Sequence, residues 1–337
     1  MVVSIGVVAF NEEKVLDALL SDLYNQTYDK KNIELILVNS MSTDRTKEMF
    51  KQFANEHKDE YYGILVLDNV GRIQASGWNT VIDNFNGDVM VRIDAHASIP
   101  ADFIAKNVEV IESGEAVSGG PRPNIIVDKT PFKETLLLAE DSMFGSSFAP
   151  YRKAKKRSYV NSLFHGMYKR EVIKTVGHFD EMLGRTEDNE FHYRIRKAGY
   201  KICYDENIVS YQHARSSLKA MVKQKYGNGY WIGLTASVCP GCLSLFHFVP
   251  FCFVMGIIFT SVLALVGYPF FAILMWSLYL AVDLLMSIFA IVKNKFNACN
   301  LLLPFIFPIL HISYGIGTIV GIIKIPVFRK KYMKRKA

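Results

Sequence analysis

The stretch VVSIGVVAFNEE, residues 2–13, decides the fold of the first part of the chain. Residues 2–10 form a largely β-branched apolar run without helical periodicity, which is typical of a strand buried on both faces. Asn11 can then cap a helix. Apolar side chains recur after it at helical spacing, at Val15, Leu16, Leu19, Leu20 and Leu23. The stretch therefore predicts a strand, a turn and a helix in succession.

The same alternation continues along the chain. Further strands are predicted at residues 34–39, 63–68 and 88–94, with helices at 43–53 and 73–85 between them. Alternation of this kind indicates an α/β domain with a mostly parallel sheet and helices on both faces. Ligands of such sheets bind at the carboxyl ends of the strands. This rule selects residues 10–12, 39–44, 69–72 and 94–96 as the candidate site.

The last third of the 337-residue chain has a different character. Asp283 is the only Asp, Glu, Lys or Arg between residues 243 and 292, and residues 300–323 contain none. A helix needs roughly 20 residues to cross a bilayer. Apolar helices are therefore predicted at residues 243–267, 268–292 and 301–323. Pro304 and Pro308 leave open whether the third is kinked, re-entrant or spanning.

Charge bears on the orientation of these segments. Short basic flanks tend to remain in the cytoplasm, and both residues 293–295 and the tail after residue 324 are basic. Three clean crossings would place the tail outside, so the number of crossings stays open. Much of the net charge of +7 lies in this tail. It indicates anionic membrane lipid as a partner and not nucleic acid. No secretory signal is expected at Met1, because a strand-like apolar run follows it.

Four motifs carry a resemblance to a known family. They read VAFNEE at 8–13, VNSMSTD at 38–44, RIDAHA at 92–97 and RTEDNE at 185–190. Their order resembles that of family 2 inverting glycosyltransferases, in particular bacterial exopolysaccharide enzymes of the succinoglycan type. Over about residues 2–232, the resemblance implies the GT-A fold, a Rossmann-like nucleotide-diphospho-sugar transferase fold with a mostly parallel sheet. An α-helical membrane region follows.

A metal site is predicted at the fourth strand. Transfer from a nucleotide diphosphate requires a counter-charge for the leaving group, usually Mg²⁺ or Mn²⁺. Asp94 and His96 alternate along an extended strand end, so both can face one ion. Imidazole favours Mn²⁺ over Mg²⁺. The alternative is an ordinary strand-terminating Asp followed by a surface His.

Glu187 and Asp188 open a clearly predicted helix. Acids are stabilised at a helix amino terminus without any catalytic role. The acceptor hydroxyl nevertheless needs a base. The resemblance implies that Asp188, paired with Glu187, is this catalytic base.

The resemblance also implies donor contacts. It places Phe10, Asn11 and Glu12 against the nucleoside and Arg72 near the phosphates, with Asn79 as a supporting residue and Asp94 on the donor. Many relatives carry Asp where this chain has Asn39. An Asn can still hydrogen-bond a uracil edge, but this departure leaves the identity of the base open. The resemblance implies a UDP-linked donor.

The acceptor and diphosphate region is assigned less directly. The resemblance places His165 and Gly166 at the acceptor cleft, although a lone His is often structural. Gln224 and Trp231 match a loosely similar region, and a membrane-docking helix explains them equally. Residues 141–156 are predicted to form a loop that closes over substrate.

These observations together predict a cytoplasmic GT-A catalytic domain over residues 1–215, an amphipathic interfacial segment over 216–240, a transmembrane region over 241–325 and a basic cytoplasmic tail over 326–337. The expected location is the bacterial inner membrane, crossed more than once. The expected activity is inverting, metal-dependent hexosyl transfer from a UDP-sugar to a polyprenyl-linked saccharide in exopolysaccharide or capsule synthesis. The alternatives are a polyprenyl-phosphate sugar synthase and a catalytically silent nucleotide-sugar-binding scaffold. A homo-oligomer is compatible with the sequence.

Overall fold

The computed structural model of the chain describes residues 1–126, 128–145 and 156–336. Most of the closing loop predicted at 141–156 lies outside these residues. The chain divides into two compact units. Of the described residues, 1–123 and 156–213 form an α/β unit, and the remainder from residue 124 onward forms a helical unit.

The α/β unit is built on an eight-stranded sheet. In chain order its strands and helices are β1 Val3–Ala9, α1 Leu16–Tyr24, β2 Ile33–Asn39, α2 Thr46–His57, β3 Gly63–Asp68, α3 Gln74–Asn84, β4 Val89–Asp94, β5 Ala97–Ser98, α4 Phe103–Glu112 and β6 Val117–Gly119. After β7 Asn124–Ile125 and α5 Pro131–Asp141 of the helical unit, it continues with β8 Ser158–Val160, β9 Met167–Lys169, α6 Arg170–Val176, α7 Glu187–Lys197, β10 Ile202–Tyr204 and β11 Tyr211–His213.

The sheet order is β3-β2-β1-β4-β9-β6-β10-β8. β1 pairs in parallel with both β2 and β4, and β2 pairs in parallel with β3. β9 is antiparallel to β4 and β6. The prediction of a mostly parallel sheet is confirmed, because the four strands that carry the candidate site all run in one direction.

Burial on both faces explains the apolar strands. Alternate residues of β2 enter two different cores: Leu35 and Leu37 pack in one, and Ile36 and Val38 pack in the other. The first core also receives the apolar face of α1, and the second receives Trp78 of α3. Since each face of the sheet is covered, its polar ends are the part of the strands that a ligand can reach.

The helical unit contains the candidate membrane segments. After α5, its helices are α8 Leu218–Thr235, α9 Val249–Leu265, α10 Phe270–Val292, α11 Leu303–Ile323 and α12 Ile325–Lys336. Three segments among the described residues are long and apolar enough to cross a membrane, by length and composition: Leu245–Leu265, Phe270–Val292 and Ala298–Ile323. The third contains Pro308 inside α11.

Glycines join α8 to α11. A Cβ placed on Gly229 would lie 2.0 Å from the carbonyl oxygen of Tyr314, and one placed on Gly317 would lie 2.2 Å from that of Tyr226. Gly233 and Gly321 are also close to backbone of the facing helix. Small residues four apart on both helices let the two backbones touch, as in GxxxG packing between membrane helices.

Polar contacts attach α5 to the other helices of this unit. Glu140 of α5 forms an ion pair with the buried Lys225 of α8, with 2.9 Å between Oε2 and Nζ. Thr135 donates a hydrogen bond of 2.7 Å from Oγ1 to Oδ1 of Asn300. These contacts explain why residues 124–145 belong to the helical unit, although in the sequence they come between β6 and β8 of the sheet.

Candidate active site

Backbone strain marks the carboxyl ends of β1, β2 and β3. Asn11, Met41 and Arg72 have φ angles of 55°, 59° and 59°. Residues other than glycine seldom adopt this left-handed backbone conformation, and those that do are concentrated at functional sites. The three residues follow three adjacent strands, so they point to the same edge of the sheet that the sequence motifs select.

Asp94, the last residue of β4, is surrounded by hydrogen-bond donors. Its Oδ2 lies 3.4 Å from Nε2 of His165 and 3.5 Å from Nη1 of Arg122, and its Oδ1 accepts a bond of 3.3 Å from Nε2 of Gln74. Burial alone would raise the pKa of Asp94. The hydrogen bond from His165 and nearby positive charges outweigh this and hold the pKa well below its usual range. Asp94 is therefore ionised.

His165 bridges Asp94 and Ser210. Its Nδ1 lies 2.9 Å from Oγ of Ser210, and its Nε2 faces Oδ2 of Asp94, to which it can donate. Burial lowers the pKa of His165 despite the neighbouring carboxylate. The hydrogen bond from the imidazole is the largest of the effects that lower the pKa of Asp94. His165, which was predicted to lie in the acceptor cleft, is buried in contact with Asp94. The carbonyl of Gly166, predicted for the same cleft, accepts a hydrogen bond from the backbone amide of Arg92.

His96 pairs with Glu12. Nδ1 of His96 lies 3.2 Å from Oε1 of Glu12, and both side chains are partly exposed. The positive form of His96 would also lower the pKa of Asp94, so the three groups share one region.

Asp94 and His96 could supply part of the coordination shell of a divalent ion whose remaining ligands are not protein side chains. Among the residues described, no group of three or more His, Cys, Asp or Glu side chains forms a complete metal cage. Mg²⁺ and Mn²⁺ at nucleotide sites are commonly held by one or two protein groups together with phosphate oxygens and water. An ionised Asp94 with His96 beside it matches that pattern. Its missing ligands would come from a diphosphate.

The buried Arg92 is affected by carboxylates of two sequence motifs, RIDAHA at 92–97 and RTEDNE at 185–190. Its guanidinium is buried over the ring of Trp78, 4.8 Å from the centroid, and is 3% exposed. Burial opposes its charge, but the carboxylates of Asp94, Asp188 and Glu187 outweigh this effect and raise the pKa of Arg92. Carboxylates 94 residues apart in the chain thus act on one cation.

Glu187 and Asp188 begin α7, as predicted. Glu187 is 3% exposed, and its Oε2 has no hydrogen-bond partner among the described residues. Burial first, and the charge of Asp188 second, raise the pKa of Glu187 to about 7. Oδ1 of Asp188 accepts the amide of Asn189 at 2.8 Å. Two adjacent carboxyls therefore have different environments: Glu187 is buried, and Asp188 is partly exposed.

The predicted donor contacts fall into exposed and buried groups. Phe10 is 53% exposed, and Arg72 is also exposed. Asn11 is exposed and its Oδ1 accepts the amide of Thr43 at 2.8 Å. Asn79 is buried, and its side chain both donates to and accepts from the backbone of Phe179. The structure thus gives Asn79 a supporting position under the loop before α7.

The remaining predicted residues, Gln224 and Trp231, lie on α8 in the helical unit. Trp231 packs edge-to-face against Phe328 of α12, with ring centroids 6.3 Å apart. Their assignment to the acceptor region stays a prediction.

Sequence reasoning missed Arg92, Arg122 and Gln74 as members of the site. A signal for Arg92 was present, because a charged residue inside an otherwise apolar buried strand needs a partner. Arg122 packs over the ring of Phe164, 3.4 Å from its centroid. No local sequence pattern predicts this contact or the hydrogen bond from Gln74 to Asp94, since both join chain segments that are distant in the sequence.

A strand-end site with an ionised carboxylate, a neighbouring imidazole and a carboxyl pair at a helix amino terminus suits transfer from a phosphorylated donor. The sequence profile described as Glycosyl transferase family 2 matches residues 4–177, and the chain belongs to this family.

Two relatives and one solved structure extend the comparison. The chain is 28% identical over 331 residues to the dolichyl N-acetyl-alpha-D-glucosaminyl phosphate 3-beta-D-2,3-diacetamido-2,3-dideoxy-beta-D-glucuronosyltransferase of Methanococcus voltae, covering 96% of this chain and 97% of that protein. It is 27% identical over 225 residues to the succinoglycan biosynthesis protein ExoA of Rhizobium meliloti (strain 1021), covering 65% of each. The mannosyltransferase PcManGT from Pyrobaculum calidifontis, solved with GDP-Man and Mn²⁺, superposes with a TM-score of 0.63 at 16% identity over 94% of this chain and 86% of that one. The predicted GT-A fold is confirmed.

Proposed function

We propose that this chain transfers a sugar, with inversion at the anomeric carbon, from a nucleotide-diphosphate donor to a polyprenyl-linked saccharide at a membrane surface. The convergence of Asp94, Glu187 and Asp188 on Arg92 carries this proposal. Asp94, the carboxylate proposed to lie near the donor diphosphate, and Asp188, the candidate base, would then act in the same site. A scaffold that had lost catalysis would have no need to keep these ionisable groups together in a buried place.

Asp94 and His96 are the residues that would hold a divalent ion. A bound Mn²⁺ or Mg²⁺ neutralises charge on the leaving diphosphate. His165 and Ser210 fix the orientation of Asp94 through the hydrogen bonds described above. Phe10, Asn11 and Glu12 lie at the same edge, where a nucleoside of the predicted UDP type would bind, and the exposed Arg72 would face its phosphates.

Asp188 is assigned as the general base. It accepts the proton of the acceptor hydroxyl while that oxygen bonds to the anomeric carbon and the bond from this carbon to the diphosphate breaks. A single displacement of this kind inverts the anomeric centre. Glu187, with its raised pKa, holds a proton near neutral pH and reduces repulsion beside Asp188.

The helical unit suits a lipid-linked acceptor. It contains three segments able to cross a membrane and a basic final helix, and the Methanococcus voltae relative is named for a dolichyl-linked sugar phosphate acceptor. A membrane anchor raises the local concentration of such an acceptor. We propose a cytoplasmic catalytic unit, anionic lipid around the tail and a role in surface-polysaccharide assembly; the match to ExoA supports that role.

A product assay tests this proposal. Purified full-length protein with Mn²⁺ is incubated with UDP- and GDP-sugars in three arms: no acceptor, polyprenyl phosphate, and polyprenyl-linked saccharide. Nucleoside diphosphate release that requires the saccharide acceptor is expected. Release that requires bare polyprenyl phosphate would instead indicate a polyprenyl-phosphate sugar synthase, and donor binding without turnover in any arm would indicate a scaffold. Asp102→Asn, an exposed carboxylate on the same unit, is the matched control for carboxylate variants.

A further inference from the structure

His192 of α7 is a buried imidazole with a hydrogen-bonding partner at each nitrogen. Its Nδ1 lies 2.9 Å from Oγ of Ser162, and its Nε2 lies 2.8 Å from the hydroxyl oxygen of Tyr168. His192 and Tyr168 are both fully buried. Because a hydroxyl can donate or accept, a neutral ring satisfies both of its nitrogens in either tautomer. The proposed function uses none of these three side chains.

The bond between His192 and Tyr168 joins two uncharged groups. Burial first, and the charges of Arg92 and Arg196 after it, lower the pKa of His192 to about 3. Burial raises the pKa of Tyr168, so the phenol keeps its proton. The bond therefore adds no charge beside Arg92, whose own charge is supported by the carboxylates of the candidate site.

This bond connects the two halves of the candidate site. Tyr168 lies on β9, the antiparallel neighbour of β4, and β4 ends at Asp94. His192 follows Asp188 by one turn of α7, and residues four apart lie on the same side of a helix. The helix that carries Asp188 is thus hydrogen-bonded to the strand beside the one that carries Asp94.

Apolar packing also holds α7 to the sheet, but with less angular precision. The ring of Phe191 stacks on that of Phe179, with centroids 4.0 Å apart, and meets the ring of Tyr168 edge-to-face at 5.7 Å. Burial of apolar surface is non-directional, whereas a hydrogen bond requires a definite distance and angle. Any rotation of α7 about its axis would move Asp188 together with His192. The bond to Tyr168 opposes such a rotation.

We propose that His192 is a positioning residue, which fixes the rotation of α7 through its hydrogen bond to Tyr168 and so holds the carboxylate of Asp188 in register with a donor at Asp94. This proposal rests on the proposed function, because Asp188 is the base of that reaction. Transfer rates are sensitive to such placement, since a displacement of about 1 Å can cost roughly 10²-fold.

Three variants that remove the bond test this role: Tyr168→Phe, His192→Phe and the two combined. Each single variant leaves a buried polar atom without its partner, whereas the double variant leaves two apolar rings, so part of the lost stability should return. We expect kcat to fall about tenfold or more in all three while donor affinity stays at the parent value. The double variant should be no slower than the slower single variant, because both substitutions remove the same bond. Recovery of kcat together with stability in the double variant would show a purely structural role and overturn the proposal.

Two further variants serve as controls. The hydroxyl of the buried Tyr61 donates to the carbonyl of Leu23 at 3.2 Å, just before β3 begins and so at the opposite edge of the sheet. Tyr61→Phe removes a comparable hydrogen bond and should lower the melting temperature while kcat stays at the parent value. His192→Gln keeps a group that can donate to or accept from Tyr168, and its kcat should lie within about threefold of the parent.

One assay separates this proposal from the proposed function. Full-length protein in detergent is supplied with Mn²⁺, polyprenyl-linked saccharide and the sugar nucleotide selected in the product assay, and donor affinity is measured with the corresponding nucleoside diphosphate. A parent without turnover would contradict the proposed function and the positioning role with it. Turnover that is lost in Asp188→Asn but stays at the parent kcat in both Tyr168→Phe and His192→Phe would leave the function intact and overturn the positioning role.

Discussion

Nε2 of His165 lies 3.4 Å from Oδ2 of Asp94, while Nδ1 of the same ring lies 2.9 Å from Oγ of Ser210. This bridge fixes the carboxylate at the end of β4 by a residue 71 positions further along the chain. Hydrogen bonds of this kind orient metal-binding groups and contribute to metal affinity. The contact gives His165 a partner, Asp94, that its sequence position does not reveal.

Replacement of His165 tests this bridge. Leu cannot donate to Asp94, whereas Gln can donate to Asp94 and accept from Ser210. We expect His165→Leu to weaken Mn²⁺ binding about tenfold or more in the presence of a nucleoside diphosphate. His165→Gln should retain most of the affinity. Electron paramagnetic resonance titration of free Mn²⁺ measures both, and parent affinity in the Leu variant would rule out the positioning role.

The raised pKa of Glu187 predicts a pH dependence of stability. Between the ordinary value of 4.5 and about 7, the unfolded chain loses a proton that the folded protein keeps. The free energy of unfolding therefore falls as the pH rises through this window, by roughly 1.4 kcal/mol for each pH unit and a few kcal/mol at most. Glu187→Gln should remove this part of the slope. Thermal unfolding in detergent at pH 5, 6 and 7 compares the two proteins, and equal slopes would contradict the assignment.

Close packing of α8 and α11 predicts a sensitive glycine. A Cβ at position 317 would lie 2.2 Å from the carbonyl oxygen of Tyr226, and backbone cannot yield as a flexible side chain does. Gly317→Ala should therefore destabilise the helical unit by about 1–3 kcal/mol. Gly256→Ala is the control, because its Cβ would meet only the sulfur of Met275, at 3.3 Å. Similar melting temperatures for the two variants in detergent would argue against the helix contact.

The sequence predicts the sheet well because its strands are buried on both faces. β1 to β4 are mostly apolar, and each ends at or shortly before polar residues that the parallel arrangement brings to one edge. The same logic places Asp94 correctly at a strand end. The local pattern was sufficient here because a strand that is covered on both faces needs apolar side chains at nearly every position.

Other features depend on contacts that no local pattern encodes. The amide of Asn39 could have faced a ligand or Asp68, and only the register of β2 and β3 decides this. Residues 124–145 join the helical unit through contacts such as that between Thr135 and Asn300, 165 positions apart. Side-chain partners at this separation follow from tertiary packing, which periodicity and propensity do not specify.

In the proposed reaction, Asp188 acts as base on a donor held beside Asp94. The most direct test is the turnover of Asp188→Asn with saturating donor, Mn²⁺ and polyprenyl-linked saccharide, measured in a preparation whose donor affinity is determined in parallel. Turnover is expected to fall by at least about 10²-fold while donor affinity stays at the parent value. Turnover close to that of the parent would contradict the claim.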